Sequence, residues 1–130
     1  MPTPNVKNLS MNELTSMPRS ELEALVREGT PIDIRSGTDR LRVRFRIVDS
    51  AVRIEVLEVV AANDGVLTSF ASGCRNLARQ SRVRRIDWIV HAAACAAPNE
   101  RLQGALTSRG FVLQNVPEIG QAYRRSEPIG

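Results

Sequence analysis

His91 and Cys95 are the first residues of this chain whose types suggest chemistry, an imidazole and a thiol four positions apart in His-Ala-Ala-Ala-Cys. Activation of a thiolate by histidine needs the two groups in hydrogen-bond contact. An extended strand keeps positions i and i+4 on one face but about 13 Å apart, so a Cys-His nucleophile would require the chain to turn between them. The expectation is a buried thiol at Cys95 and a lone acid/base at His91, able to take a proton from an amine near neutral pH. The plainer reading of His91 is a hydrogen-bonded structural histidine. The other cysteine, Cys74, falls in a different element, and one histidine with two separated cysteines fits no metal-ligand spacing, so no metal site is expected.

The chain that must position these groups has 130 residues and is 42% hydrophobic, enough for one core without metal or disulfide. Residues 1–9, with two prolines, read as a loose leader, and residues 10–130 as a single domain. No apolar run is long enough for a spanning helix, and the N-terminal residues lack a charged segment followed by an apolar one. A cytoplasmic protein is expected, with export by specialised machinery left open. The net charge is +4, and of 18 basic residues only Lys7 is lysine. Guanidinium forks suit phosphate and carboxylate, which points to an acidic or phosphate-bearing partner such as coenzyme A, RNA or protein, although a GC-rich coding sequence produces the same bias. Aromatic content of 4% leaves no interleaved stacking platform for single-stranded nucleic acid.

Periodicity supplies the elements. Ser10 to Glu13 has capping-box spacing, and Pro18 to Glu28 reads as a helix with Leu22, Leu25 and Val26 on one face, stopped by Gly29. Arg-Leu-Arg-Val-Arg-Phe-Arg-Ile then alternates, with Leu41, Val43, Phe45 and Ile47 on one side of a strand and Arg40, Arg42, Arg44 and Arg46 on the other. After an Asp49-Ser50 turn, Val52, Ile54 and Val56 share a phase that slips at Leu57 and Val59, as a β-bulge would produce. Glu55 and Glu58 fall where they can face the arginines in a cross-strand ion-pair ladder. Asp64 is placed to cap a helix carrying Leu67, Phe70, Ala71, Cys74, Leu77 and Ala78, which ends among Arg79, Arg82, Arg84 and Arg85. Those arginines read as a solvated cluster at a helix end or as phosphate contacts.

Ile86 to Ala96 is an almost continuous apolar run, expected as a central strand with Trp88 in the core. Pro98 opens a helix with Leu102, Ala105 and Leu106 on its stripe and Gly110 at its C-cap, and two short strands around Pro117 and Gly120 close the chain. A buried strand reached by a helical crossover after antiparallel strands predicts an α+β fold with a mixed sheet.

This order resembles the second half of the GCN5-related N-acetyltransferase (GNAT) superfamily. After its buried strand that family often carries Asn, a small residue, Tyr and Gly-Phe at fixed spacing; Asn99, Leu102, Leu106, Gly110 and Phe111 stand at those places, with Leu106 in place of the tyrosine. The resemblance covers Leu41 to Arg125. It implies a mixed, mostly antiparallel sheet with helices on both faces, shortened at its N-terminal end, and acetyl-CoA or a related thioester as the acyl donor. The family's pyrophosphate loop falls on Ala-Asn-Asp-Gly-Val-Leu, putting Ala62 at its Arg/Gln position, Gly65 at its first glycine and Leu67 at its second small position. Such a loop aims backbone N–H groups at phosphate from a helix N-terminus. On this resemblance Val59, Asp64, Gly65, Val66, Leu67 and Asn99 would hold the donor, while Glu58 on the bulged strand, His91 and Tyr123 would be the acid/base groups. Their plainer readings are an ion pair for Glu58 and edge packing for Tyr123.

The pattern His-Ala-x-x-Cys-Ala-x-Pro-Asn-x-Arg-Leu also resembles C-terminal modules of bacterial polymorphic toxins and secreted effectors. Two functions therefore stand side by side: an acyltransferase acting on an amine, and a noncatalytic GNAT-like module or toxin-type effector directed at protein or RNA.

Overall fold

A computed structural model describes residues 7–60, 65–80, 83–92 and 100–129. The expected alternation builds its centre. Strand β3 (Asp39–Val48) buries Leu41, Val43 and Phe45 and leaves its arginines partly exposed. It pairs antiparallel with β2 (Ile32–Ser36) and β4 (Ala51–Val60). The β3–β4 turn has two central residues, Asp49 and Ser50, both at positive φ (49° and 66°), the primed geometry that matches strand twist. The phase slip is a bulge: Val43 faces Val56 while Arg42 faces Glu58, so Leu57 is the extra residue and Val59 returns to the buried side opposite Leu41.

The N-terminal stretch is more structured than its composition suggested. Lys7–Ser10 forms β1, parallel to β2, so residues 7–9, expected in the leader, are part of the sheet, and Leu9 is in the core. Ser10 then caps α1 (Met11–Thr15): its hydroxyl accepts from the Glu13 amide at 3.0 Å and the Glu13 carboxylate accepts from the Ser10 amide at 3.1 Å. Helix α2 (Arg19–Glu28) ends at Gly29, which takes the left-handed conformation. Residues 7–28 thus hold a strand and two helices.

Helix α3 (Gly65–Gln80) crosses from β4 to β5 (Arg85–His91), which run parallel. Helix α4 (Glu100–Ser108) ends in a Schellman arrangement, with Phe111 N–H on the Leu106 carbonyl (3.0 Å), Gly110 N–H on the Thr107 carbonyl (3.1 Å) and Gly110 at φ 89°. The Arg-Gly-Phe exit read from the sequence is this cap. Hairpin β6 (Val112–Val116) and β7 (Gly120–Pro128) follows, β7 lying against β5. The sheet order is β1-β2-β3-β4-β5-β7-β6, with β1/β2 and β4/β5 parallel and the remaining pairs antiparallel. The architecture is therefore a mixed, mostly antiparallel α+β sheet.

The two faces of that sheet differ. Apolar side chains of all four helices join one cluster with Leu41, Val43, Ile54, Ile86 and Trp88. Phe70 bridges Phe45 and Trp88 at centroid distances of 6.2 and 6.4 Å. The opposite face holds a small cluster of Ile89, Val116 and Ala122 and, across its middle, an ionic layer.

Candidate functional site at the open end of the β4–β5 ladder

Among the described residues the parallel pairing of β4 with β5 runs from Ala51/Arg85 to Val56/Val90. Beyond it β4 continues to Val60 in company with β3, while His91 pairs with Ala122 of β7. The bulge lies at this same level, where an extra residue bends its strand. The candidate site is the wedge bounded by the C-terminal ends of these adjacent parallel strands, the place where open α/β sheets bind ligands. Gly65, the first residue of α3, contributes no side chain at the entrance. Leu67, in the first turn, packs against the core.

His91 stands at this end of β5 on the ionic face. Its Nε2 lies 3.9 Å from Glu55 Oε2 and has no hydrogen-bond partner although that atom is buried. Burial pushes the imidazole below its ordinary value; Glu55 pulls it back up and Arg44 adds to the lowering. Glu55 itself is 1% exposed and accepts from Arg44 Nε at 2.9 Å. A neutral imidazole beside a fixed carboxylate can accept a proton and hold it as a charged pair.

Glu58 shares that face, opposite Arg42, but is half exposed and sits 3.8 Å from Arg40. Tyr123 lies on the helix side, opposite Val90, and packs into the main core. The structure therefore brings His91 and Glu58 to one face and places Tyr123 across the sheet from them. Val59 is buried in the core beside Leu41. Asp64, Asn99, Ala62 and Cys95 lie outside the described residues, as does the side chain of Val66.

Sequence reasoning gave Glu55 only an arginine partner and missed its place next to His91. The available signal was a carboxylate in a strand otherwise alternating into the core; parallel pairing with β5, which no local pattern encodes, completes the contact. A cavity of about 720 Å³ lies at the other end of the sheet between α2, α3 and the β3–β4 turn, lined by Leu22, Val26, Phe45, Ile47 and Cys74. Burial pushes the Cys74 thiol far up, which makes it a poor nucleophile. Among the described residues no group of histidine, cysteine or carboxylate side chains could hold a metal ion, and no helix is long and apolar enough to cross a membrane.

No protein-family profile matches the chain, and no curated protein matches it in sequence. Among solved structures, a PaiA N-acetyltransferase from Thermoplasma acidophilum in complex with coenzyme A is similar at a TM-score of 0.38 and 10% identity, over 65% of this chain and 52% of that one. The likeness thus spans about half the length of that protein.

Proposed function

We propose that the protein is a divergent GNAT-like acyltransferase that takes acetyl-CoA or a related acyl-CoA and passes the acyl group to an amine. The observation that carries this reading is the end of the described β4–β5 ladder at Val56/Val90, level with the bulge. The C-terminal ends of such strands suit an extended amide-bearing arm, and the N-terminus of a helix that follows in sequence, as α3 does, supplies a positive dipole end that favours phosphate. When bound, the thioester supplies an activated acyl group. This chain's part is to align the amine, to exclude water and to take its proton. His91 is the base of this proposal: it is lowered toward its neutral form and has Glu55 beside it to stabilise the proton once accepted. The proposed donor site comprises backbone N–H groups near Val59 and Gly65 together with Asp64, Val66, Leu67 and Asn99. Glu58 and Tyr123 are secondary candidates, limited by the Arg40 pair and by the opposite face respectively.

A noncatalytic binding module, including a toxin-type effector acting on protein or RNA, is the competing reading. It is favoured by Tyr123, the chain's lone tyrosine, lying on the helix side rather than beside His91. Calorimetric titration with acetyl-CoA and with coenzyme A separates the two. Saturable binding near micromolar, weakened by Gly65→Val, supports the acyltransferase; no saturation up to millimolar ligand refutes it.

A further inference from the structure

The ionic face is layered. Three carboxylates are sunk in it, Asp33, Glu55 and Asp87, at 6, 1 and 5% exposure. Each is bound from above by arginine: Arg42 on Asp33 through Nε at 2.9 Å, Arg44 on Glu55 at 2.9 Å, and Arg53 and Arg124 together on Asp87 at 3.3 and 2.9 Å. The side chains of Arg42, Arg44 and Arg124 remain 26 to 38% exposed over carboxylates that are 9% exposed or less. Solvent therefore meets a cationic layer whose guanidiniums are already oriented by the anions beneath. Arg40, Arg42 and Arg44 repeat every second residue along β3, a step of about 6.8 Å. Arg35 and Arg85 extend the layer, are exposed, and have no ion-pair partner among the described residues. Glu58, at the Arg40 end, is the carboxylate of this network that reaches solvent.

We infer that this sheet face binds the phosphate backbone of duplex nucleic acid without reading its sequence. Guanidiniums held by their Nε edge on the carboxylates keep further N–H donors for solvent-side anions, and at regular spacing these match a row of phosphates. All five aromatic residues of the chain, Phe45, Phe70, Trp88, Phe111 and Tyr123, pack in the helix-side core. The cationic face consequently offers no ring on which an unpaired base could stack, which selects a partner whose bases stay paired. The layer shares Glu55 with the proposed base His91, but phosphate contact by its arginines requires no acyl transfer.

Fluorescence anisotropy with labelled random-sequence duplex RNA and DNA, with single strands of equal length as comparison, tests this. Binding is expected to weaken steeply between about 50 and 200 mM salt, with a log–log slope of about −4 for roughly five neutralised phosphates. Affinity should vary little among unrelated sequences. The double variant Arg35→Gln/Arg85→Gln spares every arginine that satisfies a buried carboxylate, so it folds; it should bind about tenfold more weakly, with a slope shallower by about 2. The proposal is overturned by absence of binding at low salt, by a salt-independent affinity, or by a double variant that binds as the parent does. Tighter binding to single strands, to anionic phospholipid vesicles or to polyglutamate also overturns it.

Discussion

Glu55 Oε2 is shared: it accepts from Arg44 Nε at 2.9 Å and lies 3.9 Å from His91 Nε2, so one buried carboxylate oxygen links β3, β4 and β5. Because His91 is the chain's only histidine, its proton can be followed without assignment ambiguity. NMR of the imidazole Hε1 signal should show a midpoint below the ordinary 6.5. Glu55→Gln removes an upward influence and should lower it further; Arg44→Gln should raise it. A parent midpoint at or above 6.5 refutes the burial argument. In stability terms the unfolded chain holds the extra proton between the lowered folded value and 6.5, so this group's contribution declines as pH falls through that window.

Acid unfolding has a second source. Arg42 holds the Asp33 carboxyl below its usual range through a side-chain hydrogen bond, and Arg75 does the same for Glu127. Both pairs contribute stability above the unfolded carboxyl value of about 4, and lose it as pH falls through the lower folded value. Arg42→Gln should shift the acid-unfolding midpoint to higher pH, measured by circular dichroism across a pH series.

Glu127 ties the end of β7 to α3 and the core. It accepts from Arg75 Nε at 2.6 Å and from Trp88 Nε1 at 3.2 Å, while Arg75 lies 5.9 Å from the Trp88 ring centre. Glu127→Gln should cost about 1 to 2 kcal/mol, since Arg75 is one-third exposed and partly screened. With a single tryptophan in the chain, emission reports the broken contact directly in the folded state.

Gly73 is needed for its lack of a side chain, since a Cβ there would lie 2.8 Å from Thr15 Cγ2 across the α1–α3 contact. Gly73→Ala should destabilise by about 1 to 2 kcal/mol in spite of a helix-propensity gain near 1 kcal/mol. Thr15→Ser keeps the hydroxyl bonds to the Met11 and Asn12 carbonyls and removes the methyl. In that background the same Gly73→Ala should become neutral or stabilising, a reversal read from urea unfolding of the four proteins.

Deleting Leu57 tests whether the bulge makes the wedge. The deletion leaves Val59 two positions after Val56, hence still facing the core, and regularises the ladder with β3. The fold should persist by amide NMR while any coenzyme A binding is lost. Retained binding would place the donor elsewhere.

Local alternation made the arginine strand, the bulge and the Gly110 cap legible, because each is encoded within a few residues. The strand at Lys7 to Ser10 was not, since its stability comes from parallel pairing with β2 and from burying Leu9, not from its own composition. The ion pairs were half legible. Glu55 and Glu58 were placed against the arginine row, but Asp33 and Asp87 draw arginines from strands 9 and 37 positions away. The same limit hid the Glu55–His91 contact and left Tyr123 free to be imagined near the cleft.

The β4–β5 ladder also divides the molecule by wiring. On one side β2, β3 and β4 succeed one another through two short turns; on the other, β5 is sealed by the hairpin that ends the chain. The first half is assembled from near neighbours in sequence, whereas the six-pair seam from Val56 back to Ala51 must wait for the whole of α3 to close the loop, and the β5–β7 pairing must wait for α4. The seam is thus the non-local junction of the two halves, and its Val56/Val90 end borders the candidate wedge. Anything lodged there spans both halves at once, so its occupancy would be felt first as slower amide exchange along β4 and β5.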